Sequence, residues 1–115
     1  MYWRKEERET VAVLYGFTKM DINARLIMEF SDHESYLVTY DTSYDSDNSY
    51  EIDAGVDSCE DDFYELSYFI EKIIKQGSHK NSDSDYLQIN YRDFPICVTT
   101  EEGLPVYPKK LTQKL

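Results

Sequence analysis

The stretch Cys59-Glu-Asp-Asp-Phe-Tyr-Glu-Leu-Ser-Tyr-Phe-Ile-Glu-Lys-Ile-Ile-Lys-Gln76 carries the clearest periodic pattern in the chain. Acidic residues fill its first turn, two lysines lie near its end, and Ser58 and Gly77 stand where an N-cap and a C-terminal glycine belong. At 100° per residue, its apolar side chains form one stripe: Phe63, Leu66, Phe69, Ile70, Ile73 and Ile74. The pattern predicts an amphipathic helix from about residue 59 to residue 76, with this stripe facing the core.

Short runs rich in β-branched and aromatic residues lie on both sides of the predicted helix. They predict strands at 10–18, 24–30 and 36–40 before it, a short edge strand near 50–52, and strands at 86–91 and 94–100 with an extended segment at 104–108 after it. The polar residues 31–34 predict a turn that joins the second and third strands as a hairpin. Short loops favour antiparallel pairing, so we expect an α+β fold. Its antiparallel sheet has about five strands, in the order β-β-β-(β)-α-β-β, with one amphipathic helix packed on one face.

The length of 115 residues fits a single domain over residues 1–115. We expect residues 1–9 and 109–115 to be frayed. Residues 41–57, rich in Asp, Ser and Asn, should form an acidic loop. No run of about 18 apolar residues predicts a membrane span, and the first nine residues lack the apolar core of a signal peptide. The expected location is therefore cytoplasmic, without a membrane partner.

The negative charge is concentrated in the middle of the chain. The formal net charge is −11, yet residues 26–71 contain fourteen Asp or Glu and no Lys or Arg. Such a field attracts basic proteins and repels nucleic-acid phosphates, so we expect no direct nucleic-acid binding. A second interpretation stays open, in which the charges only form a solvated surface that keeps the protein soluble.

The residue types that catalysis and metal binding need do not occur at suitable spacings. The two histidines, His33 and His79, have no His or Cys partner at zinc-ligand spacing, and the glycines form no phosphate-binding loop. Residues 41–52 resemble a calcium loop in their alternating oxygen ligands, but Ser46 and Ile52 replace the required Gly and Glu. The sequence therefore predicts a protein that is not an enzyme and that has no metal and no cofactor.

The charge pattern favours a binding protein. Our first hypothesis is a stoichiometric inhibitor or immunity-type protein that covers a basic, nucleic-acid-binding surface of a partner protein; DNA mimicry is its sharper form. The alternative is a small oligomeric structural or adaptor module, such as a phage or bacterial accessory protein. Acidic residues would steer the partner and aromatic residues would anchor it. The predicted binding residues are Asp41, Tyr44, Asp45, Asp47, Tyr50, Glu51, Asp53, Asp57, Tyr64 and Tyr68.

Overall fold

A computed structural model describes residues 3–57, 59–77 and 84–108. Its helices are α1 (Lys5–Arg8), α2 (Val11–Met20) and α3 (Ser49–Asp53). Its strands are β1 (Arg25–Glu29), β2 (Ser35–Asp47), β3 (Asp62–Lys75), β4 (Tyr86–Ile89), β5 (Cys97–Thr100) and β6 (Pro105–Tyr107). The strands form one antiparallel sheet in the order β4-β3-β2-β1-β5-β6. The α+β class with an antiparallel sheet is confirmed, with six strands instead of about five and with the longest helix before the sheet.

The predicted helix at 59–76 is wrong, because this stretch contains β3. Leu66 and Tyr68, two residues apart, are fully buried, while Phe69 and Ile74 of the predicted core stripe are 40% and 46% exposed. Leu66, Ser67 and Tyr68 are buried in succession, so burial does not follow the predicted helical stripe. The many aromatic and β-branched residues suit a strand that pairs with β2 on one side and β4 on the other. The predicted N-cap, Ser58, lies outside the described residues.

The predicted strand at 10–18 is also wrong, because residues 11–20 form α2. Its buried side chains are Val11, Leu14 and Thr18, spaced as on one face of a helix. This face packs on the sheet, and the Thr18 and Tyr68 hydroxyls form a buried hydrogen bond of 2.9 Å. The β-branched residues of this segment therefore misled the assignment, since packing on the sheet outweighs their modest helix propensity.

The predicted hairpin between the second and third strands is confirmed as β1 and β2. Phe30 N–H donates to Glu34 O across the turn, and His33 adopts a positive φ of 71° there. Leu26, Met28 and Phe30 are buried together, as their alternate spacing predicts. This hairpin lies at the centre of the sheet, under α2.

The predicted acidic loop at 41–57 is largely ordered. β2 runs on to Asp47 and pairs with β3 as far as Asp62, so the ladder satisfies backbone groups that the polar composition suggested would be solvated. The predicted edge strand near 50–52 is wrong, since these residues belong to α3. Gly55 adopts a positive φ of 79° just after α3, a conformation that glycine adopts readily.

Part of the N-terminal segment is helical. Residues 5–8 of the segment expected to be frayed form α1, and Glu7 is buried against β3. The predicted tail at 109–115 lies outside the described residues. Before it, β4, β5 and β6 confirm the extended segments predicted there, and Gly103 adopts a positive φ of 99° in the turn between β5 and β6.

Candidate functional site

The β2–β3 ribbon projects beyond the rest of the sheet. The last pair between β1 and β2 is Arg25 with Thr39, and the last pair between β3 and β4 is Leu66 with Ile89. The β2–β3 ladder continues past both to Asp47 and Asp62, and α3 follows β2 at its tip. The polar residues of β2 therefore lie on a two-stranded arm and not on a disordered loop.

Five exposed carboxylates surround the tip of this ribbon, and we name them the acidic end: Asp45, Asp47, Asp53, Glu60 and Asp62. Two grooves run between them, with volumes of about 1070 Å³ and about 270 Å³. Asp47 and Asp62 line both grooves. Within the described part of the chain, no Lys or Arg forms an ion pair with any of the five.

Asp47 is oriented by the start of α3. Its carboxylate accepts hydrogen bonds from Ser49 Oγ at 2.7 Å and from Ser49 N–H at 3.0 Å. The hydroxyl and backbone hydrogen bonds of Ser49 lower the pKa of Asp47, because both favour the charged form. Asp47 is therefore held as an anion at the point where the two grooves meet.

Two other carboxylates of the acidic block are neutralised by arginines. Asp57 accepts a hydrogen bond from Arg92 at 2.9 Å, and Asp61 pairs with Arg4 and accepts from the Tyr91 hydroxyl. Hydrogen bonds from Asn48 and Arg92 lower the pKa of Asp57. Partial burial acts to raise the pKa of Asp61, but the bonds from Tyr91 and Arg4 outweigh it and the pKa is lowered.

These neutralised carboxylates hold the parts of the site together. Asn48, which is buried, donates to Asp57 Oδ2 at 3.1 Å and to Cys59 O at 2.8 Å and accepts from Asp61 N–H at 2.8 Å. Arg92 links the same residues to the turn after β4. The network thus ties Asp57, Cys59 and Asp61 to the residue before α3, next to the acidic end.

The N-terminal segment covers the outer side of β3 beside the grooves. The buried Glu7 accepts from Tyr64 N–H at 2.8 Å, and Arg4 donates to Asp62 O at 2.9 Å. Trp3 packs edge-on against Tyr15 and Tyr64, with ring centroids 5.6 Å and 5.4 Å apart. The packed N-terminal segment therefore borders the acidic end on one side.

The structure places the predicted carboxylates in different surroundings. Asp45, Asp47 and Asp53 belong to the acidic end, while the exposed Asp41 lies at an irregularity in β2 and lines neither groove. Asp57 is half-buried and paired with Arg92. Glu51 lies in α3, and its side chain is outside the described part.

The four predicted tyrosines also differ in how exposed they are. Tyr50 in α3 is 80% exposed and Tyr44 is 37% exposed on β2. Tyr64 is half-buried against Trp3, and its hydroxyl bonds to Ser43 Oγ at 2.8 Å. Tyr68 is fully buried, and burial raises the pKa of its hydroxyl. Of the four predicted tyrosines, only Tyr44 and Tyr50 are therefore exposed at the surface.

Sequence reasoning left out Glu60 and Asp62, which belong to the acidic end. Both were assigned to the first turn of the incorrect helix, where acidic residues have a local explanation. The alternation of residues 64–68 was the signal for a strand here, which would have placed Asp62 and Glu60 at or just before its start.

The described residues, 3–57, 59–77 and 84–108, contain no group of three or more His, Cys, Asp or Glu arranged to hold a metal ion. The calcium-like positions of residues 41–47 are drawn out along β2. Among the helices that the structure describes, none has both the length and the apolar character to cross a membrane.

The site therefore consists of exposed carboxylates on the β2–β3 ribbon, in α3 and just before β3, without an ion pair in the described part of the chain. No protein-family model, no curated protein and no solved structure matches this chain.

Proposed function

We propose that this protein is a non-enzymatic binding protein whose acidic end covers a basic surface of a partner protein, in the manner of a stoichiometric inhibitor or immunity-type protein. The observation that carries the proposal is the set of five exposed carboxylates that share one end of the fold without an ion pair among the described residues. Like charges gathered at one end of a protein repel one another, and a basic partner would relieve that repulsion.

The carboxylates with which the arginines pair support this proposal. Arg4 and Arg92 pair with Asp61 and Asp57 beneath the site, while Asp45, Asp47 and Asp62 have no ion pair within the described ranges. An acidic surface that served only solubility would need no network to hold it in place. Rigid presentation reduces the conformational entropy lost on binding.

The proposal is tested by removing charge at the acidic end and, separately, elsewhere. The test variant is D45N/D47N/D62N, in which the amide introduced at position 47 keeps an oxygen that can accept from Ser49. The control is E9Q/D21N/E102Q, whose three exposed carboxylates lie outside the acidic end. Both variants lose the same charge, so any difference between them reports position.

Each immobilised protein is exposed to a lysate of its native cells at low and high salt, and the captured partner is then purified for binding kinetics. We expect the wild type and the control to capture one basic protein, more weakly at high salt. The test variant should lose capture, mainly through slower association. Equal capture by all three proteins, or capture indifferent to salt, would contradict the proposal.

The structural or adaptor alternative has one observation in its favour. Phe69 and Tyr86, 40% and 45% exposed, form a ring pair with centroids 5.6 Å apart on adjacent strands. If this pair forms an interface between copies of the chain, the mass measured by light scattering should rise with concentration, and F69S should abolish the rise. A constant monomer mass would count against this alternative.

A further inference from the structure

β2 has an open edge where it extends beyond β1. The β1–β2 ladder ends at Arg25 and Thr39, whereas β2 continues to Asp47 with β3 on its other side only. A register shift between Tyr40 and Thr42 marks a bulge at the start of this extension. Among the described residues, no strand lies beside β2 on its free side from residue 43 to residue 47.

The ladder pattern shows which backbone groups face this open side. Asn48 N–H donates to Asp61 O at 3.1 Å, so hydrogen-bonded pairs recur at every second residue before it. The even-numbered residues of this part of β2 therefore point their amides and carbonyls to β3. The amides and carbonyls of Ser43, Asp45 and Asp47 point away from it, to the open edge.

The other described edges are occupied near this ribbon. At the start of β3, Arg4 donates to Asp62 O and Glu7 accepts from Tyr64 N–H. At the start of β4, Ser84 Oγ is bonded to both the amide and the carbonyl of Tyr86. These contacts use backbone groups that an added strand would need.

The edge strand β6 is protected in a different way. It begins at Pro105 and is followed by Pro108. Proline has no N–H to donate, so it weakens strand addition at an edge. The edge of β2 at residues 43–47 has neither a proline nor a covering segment among the described residues.

We propose that this open edge of β2 accepts an extended basic segment of the partner as an additional strand. The inference rests on the proposed function for the basic character of the partner. Asp45 and Asp47 lie two residues apart, so they project to the same side of the sheet, where alternate Lys or Arg residues of an added strand would meet them. Main-chain hydrogen bonds would supply affinity, and these charge pairs would supply selectivity.

A defined probe tests the inference without the natural partner. The probe is a short, end-blocked peptide of alternating Lys and Val, titrated into the full ¹⁵N-labelled chain at low salt. We expect slower amide exchange at Ser43, Asp45 and Asp47 in the complex. A matched peptide with N-methyl groups along one edge keeps the charge but loses backbone donors, and it should bind at least about tenfold more weakly.

Two substitutions at one position separate charge from backbone. D45P and D45N remove the same charge, but only proline also removes the N–H on the open edge. D45P should bind the peptide several-fold more weakly than D45N, with both folds checked by circular dichroism. The N-methylated peptide gives the same comparison on the unmodified protein if D45P does not fold.

Two results would contradict strand addition: equal affinity for the two peptides, or slower amide exchange at residues other than Ser43, Asp45 and Asp47. The aspartates would then serve only to keep other strands from pairing with this edge. Failure of the parent peptide to bind at low salt would contradict strand addition as well. Neither result decides the proposed function, because the lysate experiment with the two triple variants tests charge at the acidic end independently of strand addition.

Discussion

The hydrogen bond between Thr18 and Tyr68 offers a direct test of how α2 lies on β3. Y68F removes one hydroxyl and leaves that of Thr18, only 2% exposed, without this partner. A neutral hydrogen bond contributes about 0.5–1.5 kcal/mol, and an unsatisfied buried group costs about 1–3 kcal/mol. We therefore expect Y68F to lower the free energy of unfolding by about 1–2 kcal/mol, or the Tm by roughly 4–8 °C.

Urea unfolding at pH 7 measures this free energy, with the fluorescence of Trp3 as the probe because its ring packs between Tyr15 and Tyr64. T18V should cost a similar amount, since it leaves the Tyr68 hydroxyl buried. The double variant T18V/Y68F should cost less than the sum of the two, with a coupling energy of about 1 kcal/mol.

A matched control is Y50F, because Tyr50 is 80% exposed and its hydroxyl should contribute less than about 0.5 kcal/mol. If residues 59–76 formed a helix with Tyr68 on its solvent side, Y68F would resemble Y50F. Additive effects of T18V and Y68F would therefore refute the packing described here.

Three further predictions concern the core, the N-terminal segment and pH. L66A should lower the free energy of unfolding by about 2–5 kcal/mol, whereas I74A, at a side chain 46% exposed, should lower it by less than about 1 kcal/mol. Chemical denaturation measures both values, and similar losses would favour the helix in which both side chains face the core. E7A should cost about 1–3 kcal/mol because it leaves Tyr64 N–H without its acceptor, and a loss under about 0.5 kcal/mol in the same denaturation assay would place Glu7 in solvent. The folded pKa of Asp61 is lowered, so its stabilising contribution is present above the unfolded value of about 3.8 and is lost as pH falls through the folded value. D61N should therefore lower the Tm at pH 7 and flatten the decline of the Tm below about pH 4, and parallel pH profiles for the two proteins would contradict this assignment.

The sequence predicted part of the candidate site. The block without Lys or Arg pointed to an acidic surface, and Asp45, Asp47 and Asp53 do belong to the acidic end. Nothing in the local pattern separates them from Asp57 and Asp61. Those two are neutralised by arginines far away in the chain, so the separation depends on where folding places those arginines.

The α+β class was predicted correctly, but from a helix placed at residues 59–76, which contain β3. By itself the amino-acid sequence determined the central β1–β2 hairpin and the concentration of negative charge in the middle of the chain. Local signals sufficed for these features: alternation at Leu26 and Met28, a polar turn, and composition. Only the tertiary structure decided that residues 11–20 are helical and residues 62–75 extended. Both segments carry apolar residues compatible with either period, and intrinsic propensities differ by less than about 1 kcal/mol per residue. Pairing of β3 with strands on both sides, and burial of Leu66 and Tyr68 beneath α2, outweigh so small a local preference.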